Sequence, residues 1–210
     1  MKALWCIVLL LAACSSPPLT QVVKDRHGRV RAEVARVDGA KHGAVRFFSV
    51  DGTLSTEGRY VHDSRHGAWA TMDTNGDTTA IVTFNRGRKH GLQAYWASNG
   101  QLLRAERFAD GKPHGTLYRF FADGSPRQIT QYAHGRPEGV YTEWYKVDST
   151  SVAITAGQFH HGERTGRWTW FYGNGKPQRQ GHYQAGKEVG TWRWWGPAGV
   201  LLKTVDKGRP

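Results

Sequence analysis

The chain has 210 residues, a formal net charge of +12 and two cysteines. Two cysteines, at positions 6 and 14, are too few for a disulfide framework or a four-cysteine zinc site. Nine tryptophans and a hydrophobic share of 39% give more apolar surface than a disordered polyelectrolyte carries.

Met1-Lys2 is a short basic start, and Ala3 to Leu11 is an apolar run. A bilayer span needs about 20 apolar residues, so this run reads as the core of a signal peptide. Leu11-Ala12-Ala13-Cys14 resembles the lipobox of bacterial lipoproteins. That resemblance implies cleavage before Cys14 and a diacylglycerol on its thiol. Ser15 at the next position implies sorting to the outer membrane. Cys6 leaves with the signal, so the mature chain keeps no free thiol for redox work or catalysis. One acyl chain anchors only marginally and two anchor firmly; a lipoprotein-type cysteine carries more than one. Ser15-Ser16-Pro17-Pro18 is too polar and proline-rich to pack. The expected division is a signal peptide over 1–13, a lipidated cysteine with a flexible tether over 14–26, and a repeat array over 27–210.

The array announces itself by period. Gly43, Gly67, Gly91, Gly115 and Gly139 are spaced by 24 residues, and Gly166 and Gly190 continue the series. A fixed period of this length marks a repeat architecture. Ahead of it, Gln21 to Val37 reads as a half repeat, with a turn at His27-Gly28 and a lone second strand over Arg29 to Val37. Within the repeats, a second glycine follows the opening one by nine residues at Gly52, Gly76, Gly100, Gly124, Gly175 and Gly199. The residue before it is Asp51, Asn75, Asn99, Asp123 or Asn174, and Asn-Gly or Asp-Gly predicts a tight type I′ hairpin turn. The segments between turns suit short strands. In the fifth repeat Tyr145 to Ala156 adds three residues, and a longer hairpin loop is expected there.

Five residues after each opening glycine stands Phe48, Met72, Trp96, Phe120, Trp144, Phe171 or Trp195. Seventeen after it stands Tyr60, Phe84, Phe108, Tyr132 or Tyr183, with Phe159 shifted by three. These two columns are expected to form the packed face. The second residue after the glycine is also large at Trp69, Tyr141, Trp168 and Trp192. Positions two and five alternate across a regular strand. Either a bulge re-aims one of them, or both faces carry aromatics.

Gly166-Arg-Trp-Thr-Trp-Phe-Tyr-Gly-Asn-Gly175, and next to it Gly190-Thr-Trp-Arg-Trp-Trp195, resemble the MORN repeat-variant family. The likeness extends over residues 27 to 207. It implies an all-β fold, an elongated antiparallel sheet of successive β-hairpins, with seven repeats of about 24 residues plus the amino-terminal half repeat. It also implies a binding or scaffolding role. Bacterial members commonly carry an antitoxin label, and eukaryotic relatives are associated with membranes and lipids.

The sequence holds no nucleophile elbow, metalloprotease helix or phosphate loop. The chain therefore reads as non-enzymatic and without a cofactor or metal. Two sets of residues remain as candidate partner-binding sites. His42, His66, His90 and His114 each precede an opening glycine among basic neighbours. Equivalent positions two strands apart are about 9.6 Å apart, too far for an easy shared metal, so a basic edge that gains charge on acidification is expected. Trp168, Trp170, Trp192, Trp194 and Trp195 gather in the last two repeats, and exposed aromatics are frequent binding anchors. Behind an export signal, a basic chain meets an acidic protein, anionic headgroups or anionic glycans, and not nucleic acid. The expected role is a lipid-anchored envelope protein that binds or scaffolds such a partner, with an antitoxin or immunity role as the alternative.

Overall fold

A computed structural model describes residues 17–147 and 150–209 of the chain; Cys14 and its lipobox lie outside them. Among these residues there is no helix. The strands are β1 (Leu19–Lys24), β2 (Val30–Val37), β3 (Ala40–Phe48), β4 (Leu54–Val61), β5 (Ser64–Met72), β6 (Thr78–Asn85), β7 (Arg88–Trp96) and β8 (Leu102–Ala109). They continue as β9 (Lys112–Pro113), β10 (Gly115–Phe120), β11 (Pro126–Ala133), β12 (Arg136–Val147), β13 (Thr150–His160), β14 (Glu163–Phe171), β15 (Pro177–Gln184), β16 (Lys187–Trp195) and β17 (Leu201–Asp206).

Successive strands pair antiparallel in one open sheet of hairpins. β9 and β10 are one strand interrupted at His114, and both pair with β8. The expected architecture is therefore the observed one. The amino-terminal reading needs correction. β1 pairs with β2 along its whole length, so β2 is not a lone strand, and residues 19–24 of the expected tether are sheet.

The turn assignment is also corrected. Asp51-Gly52 and its equivalents do not form type I′ turns. There the residue before the glycine keeps negative φ and only the glycine is left-handed, as at Gly52 with φ 89°. The amide of Gly52 donates to the carbonyl of Ser49 at 3.1 Å, and that of Ser49 to the carbonyl of Thr53 at 2.9 Å. This is a three-residue loop, a type I turn closed by a left-handed glycine. Asp51 accepts the amide of Thr53 at 3.1 Å, and Asn99, Asp123 and Asn174 cap their loops in the same way; in the second repeat Asp73 takes that role, accepting the amides of Asn75 and Asp77. The type I′ turns lie at the other edge. Asp38-Gly39, His62-Asp63, Arg86-Gly87, Asp110-Gly111, His134-Gly135, His161-Gly162 and Ala185-Gly186 have positive φ at both residues, the signature of that turn.

Each opening glycine has a different task. Gly43 sits in β3 with φ 111°. Val34 pairs with Val45 and Arg36 with Lys41, so β3 carries a bulge opposite Ala35. A Cβ on Gly43 would stand 2.9 Å from that of Ala35. The same register jump recurs at later opening strands. The fifth repeat has no enlarged loop up to its described ends: β12 and β13 lengthen, and pairing continues to Val147 and Thr150.

The packed face is not the one expected. Position two after the glycine, not position five, is the buried column: Val45, Trp69, Gln93, Leu117, Trp168 and Trp192 are buried, and Tyr141 is half-buried. The cross-strand register explains it. Gly67 pairs with Phe84, Trp69 with Val82 and Thr71 with Ala80, so positions two, four and seventeen share one face. Position five falls on the other, where Tyr118 and Phe120 stack at 6.4 Å. Both faces carry aromatics; the bulge at the opening glycine lies upstream of both positions, and a second register shift falls between positions four and five. Two apolar clusters form on the first face. One gathers Ala32, Val34, Val45 and Trp69 with Phe47, Tyr60 and Phe84. The other gathers Trp168, Tyr183 and Trp192 with Tyr141, Phe159, Trp170 and Trp194.

Candidate functional site

Three tryptophans of the buried column lie flat on a glycine of the preceding strand. A Cβ added to Gly58 would stand 2.4 Å from Cδ2 of Trp69. The same distance is 2.3 Å from Gly157 to Trp168 and 2.0 Å from Gly181 to Trp192. The missing side chain is what lets an indole cover the strand.

In the last two repeats these indoles grow into a ladder. Tyr141 stacks on Trp168 at 5.6 Å. Trp168 meets Trp170 at 6.0 Å, Trp170 meets Trp192 at 6.0 Å, and Trp192 meets Trp194 at 6.2 Å. Cations interleave with the rings. Arg164 lies 4.5 Å from Trp168, Arg179 lies 4.2 Å from Trp192, and Lys203 lies 5.6 Å from Trp194. A guanidinium stacks on an aromatic face through both charge and planarity.

The cations are partly neutralised. Glu188 accepts from Arg179 and pairs with Lys207 at 3.2 Å. Arg164 donates to the hydroxyl of Tyr183 at 3.2 Å. Burial pushes the Glu188 carboxyl up, but Lys207 and Arg179 outweigh it and hold the group below its ordinary value. Burial, helped by a hydrogen bond to Glu143, pushes the Tyr141 hydroxyl up to about 12.

This geometry sorts the five candidate tryptophans. Trp168 and Trp192 are 0% exposed; they are the floor and offer a partner no surface. Trp170 and Trp194 are half-buried above them on the same face. Trp195 belongs to position five, on the opposite face, and its carbonyl accepts the hydroxyl of Tyr172 at 2.8 Å.

The histidines line the edge that carries the type I′ turns. His66, His90 and His114 are exposed and His42 half-buried. Their neighbours come from the turn twenty residues on. His42 meets His62 edge to face at 4.9 Å, His114 meets His134 at 5.8 Å, and His90 stands 3.5 Å from Asp110. Where the fifth repeat has Glu138 in place of histidine, that carboxylate takes the amide of His161 at 2.7 Å and the ring of His160 at 2.8 Å. These two bonds, the amide first, hold Glu138 below its ordinary value. His62, His134, His160 and His161 escaped the sequence reading, although His62 and His134 share one offset from their opening glycines. Among the described residues no group of three or more histidine, cysteine, aspartate or glutamate side chains could hold a metal.

Residues 164–185 match the MORN repeat variant. That stretch holds the hairpin of β14 and β15, with Trp168, Trp170, Arg179 and Gly181 inside it. No curated protein matches the chain. The matched hairpin and its neighbours repeat one geometry, so the chain is a hairpin-repeat protein in which the last repeats are the most aromatic.

Proposed function

We propose that the chain is a non-enzymatic binding array, held at the periplasmic side of a bacterial outer membrane through lipidated Cys14, that presents its aromatic and cationic face to an anionic partner. The observation that carries this reading is the ladder of the last two repeats. Half-buried Trp170 and Trp194 stand over a rigid indole floor, with Arg164, Arg179 and Lys203 between the rings. Rigid aromatics offer contact area at low entropic cost, and arginines among them favour an acidic protein surface, a headgroup or a charged glycan. The excess of basic residues over the whole chain draws such partners toward the sheet.

Crosslinking and affinity capture from envelope fractions, with wild type beside Trp194→Ala, test the face. Loss of one specific partner in the variant, at unchanged β circular dichroism, supports it. Equal capture by both proteins refutes it. Identification of the partner as a toxin would turn the array into an immunity protein. The anchor is tested apart: Cys14→Ala should release the protein from membranes, and continued sedimentation with them would end that part of the proposal.

A further inference from the structure

In the sixth repeat Trp170 pairs across the strands with Arg179, and the two cover the floor laid by Trp168 and Trp192. The second repeat has Thr71 paired with Ala80 at those same two positions. The floor remains, because Trp69 is buried on Gly58, but its cover is missing. A cleft of about 390 Å³ opens there, within the size range of small-molecule sites.

Its lining has a definite chemistry. Phe47, Trp69 and Phe84 supply aromatic walls, Thr71 a hydroxyl, and Arg65 and Lys89 positive charge; no carboxylate lines it. The Arg65 guanidinium lies 4.7 Å from the Trp69 ring and 5.3 Å from the Phe84 ring. Among the described residues no carboxylate stands within ion-pair distance of Arg65 or Lys89, whereas Arg179 in the covered repeat is held by Glu188. A cleft that stands where the sixth repeat carries an indole, beside two cations without counter-charge, fits a flat ring that carries an anion.

We propose that this cleft binds a small molecule composed of an aromatic ring and an anionic group, the ring replacing the absent tryptophan and the anion meeting Arg65 and Lys89. The site is independent of the partner face at the other end of the array and of the lipid anchor.

Equilibrium dialysis of the full chain in detergent against indole-3-acetate tests it, with the uncharged indole-3-acetamide as comparison. Saturable binding of the acetate is expected, at least about tenfold tighter than of the amide, since charge-assisted contacts are the stronger ones. Arg65→Gln and Lys89→Gln should each weaken it by about tenfold. Thr71→Trp should refill the cleft and abolish binding while the melting temperature holds. No saturable binding by wild type, equal binding of acid and amide, or full binding by Thr71→Trp would each overturn the proposal. Should Thr71→Trp melt early, the doubly substituted Arg65→Gln/Lys89→Gln protein decides: undiminished binding there also overturns it.

Discussion

Trp69 and Trp192 hold the same place in their repeats, and each lies on a glycine, but their surroundings differ. Trp192 is wedged among Trp170, Trp194 and Tyr183, with Arg179 over its ring. Trp69 touches Tyr60 and Phe84 edge to face and faces an open cleft beside Thr71. One repeat geometry thus serves two ends of the sheet differently. At the carboxyl end the indoles are locked into a ladder. At the amino end one indole keeps room to move and to meet a ligand.

Truncation should separate the two indoles most. Trp192→Ala should cost about 4 kcal/mol, in the middle of the range for buried aromatics, because the ladder cannot collapse into the gap. Trp69→Ala should cost about 3 kcal/mol, since its site is already partly open. Denaturant unfolding of both variants measures the difference; equal losses would show that the cleft gives Trp69 no slack. The glycines beneath the indoles should differ in the same direction. Gly181→Ala drives a methyl into a ring that has nowhere to go and should cost about 3 kcal/mol, while Gly58→Ala should cost about 1 kcal/mol as Trp69 shifts toward the cleft. A Trp192→Leu change placed on Gly181→Ala should recover part of the loss, which chemical denaturation of the double variant would reveal.

Between the two ends the buried column turns polar. Gln93 is 0% exposed where other repeats bury tryptophan. Its amide donates to the carbonyl of Thr83 at 3.2 Å, and its Oε1 has no partner among the described residues. Glu106 is buried too and held by Arg104 at 2.8 Å. An unsatisfied buried oxygen costs more than its partner bond returns. Gln93→Leu should therefore raise stability by about 1 kcal/mol, and an unchanged or lowered unfolding midpoint would count against that account.

The repeat period, the strands and the antiparallel hairpins were legible in the sequence, because glycine spacing and turn residues act locally. The face assignment was not. Position five is large in every repeat, and that regularity made it look like the core. Register decides instead: the bulge at the opening glycine and the pairing of Trp69 with Val82 put position two inside. A signal did exist. Wherever position two is tryptophan after an earlier repeat, the residue eleven before it is glycine, at Gly58, Gly157 and Gly181; elsewhere that residue is Val34, Val82, Glu106 or Thr130. The turn types were misread for a similar reason. Asn-Gly suits both a type I′ turn and a three-residue loop, whereas His62-Asp63 and Arg86-Gly87 become type I′ turns because the paired strands on either side fix their length.

The smallest expected effect is in pH, and it again separates parts of the ladder. The folded-state pKa of Glu188 is lowered, so its contribution is complete above the ordinary value of 4.5 and fades as pH falls through the lower folded value. Tyr141 runs the other way. Its folded value of about 12 lies above the ordinary 10.0, so the neutral hydroxyl favours the fold up to pH 10, and that support is lost between pH 10 and about 12. Both groups belong to the carboxyl-terminal cluster and its rim. Glu188→Gln should therefore flatten the acid limb of the stability profile and leave the alkaline limb intact, while Tyr141→Phe should do the reverse. Thermal melts across pH read both limbs. Ultraviolet titration of tyrosinate gives a second check: the component that ionises near pH 12 in wild type should vanish in Tyr141→Phe.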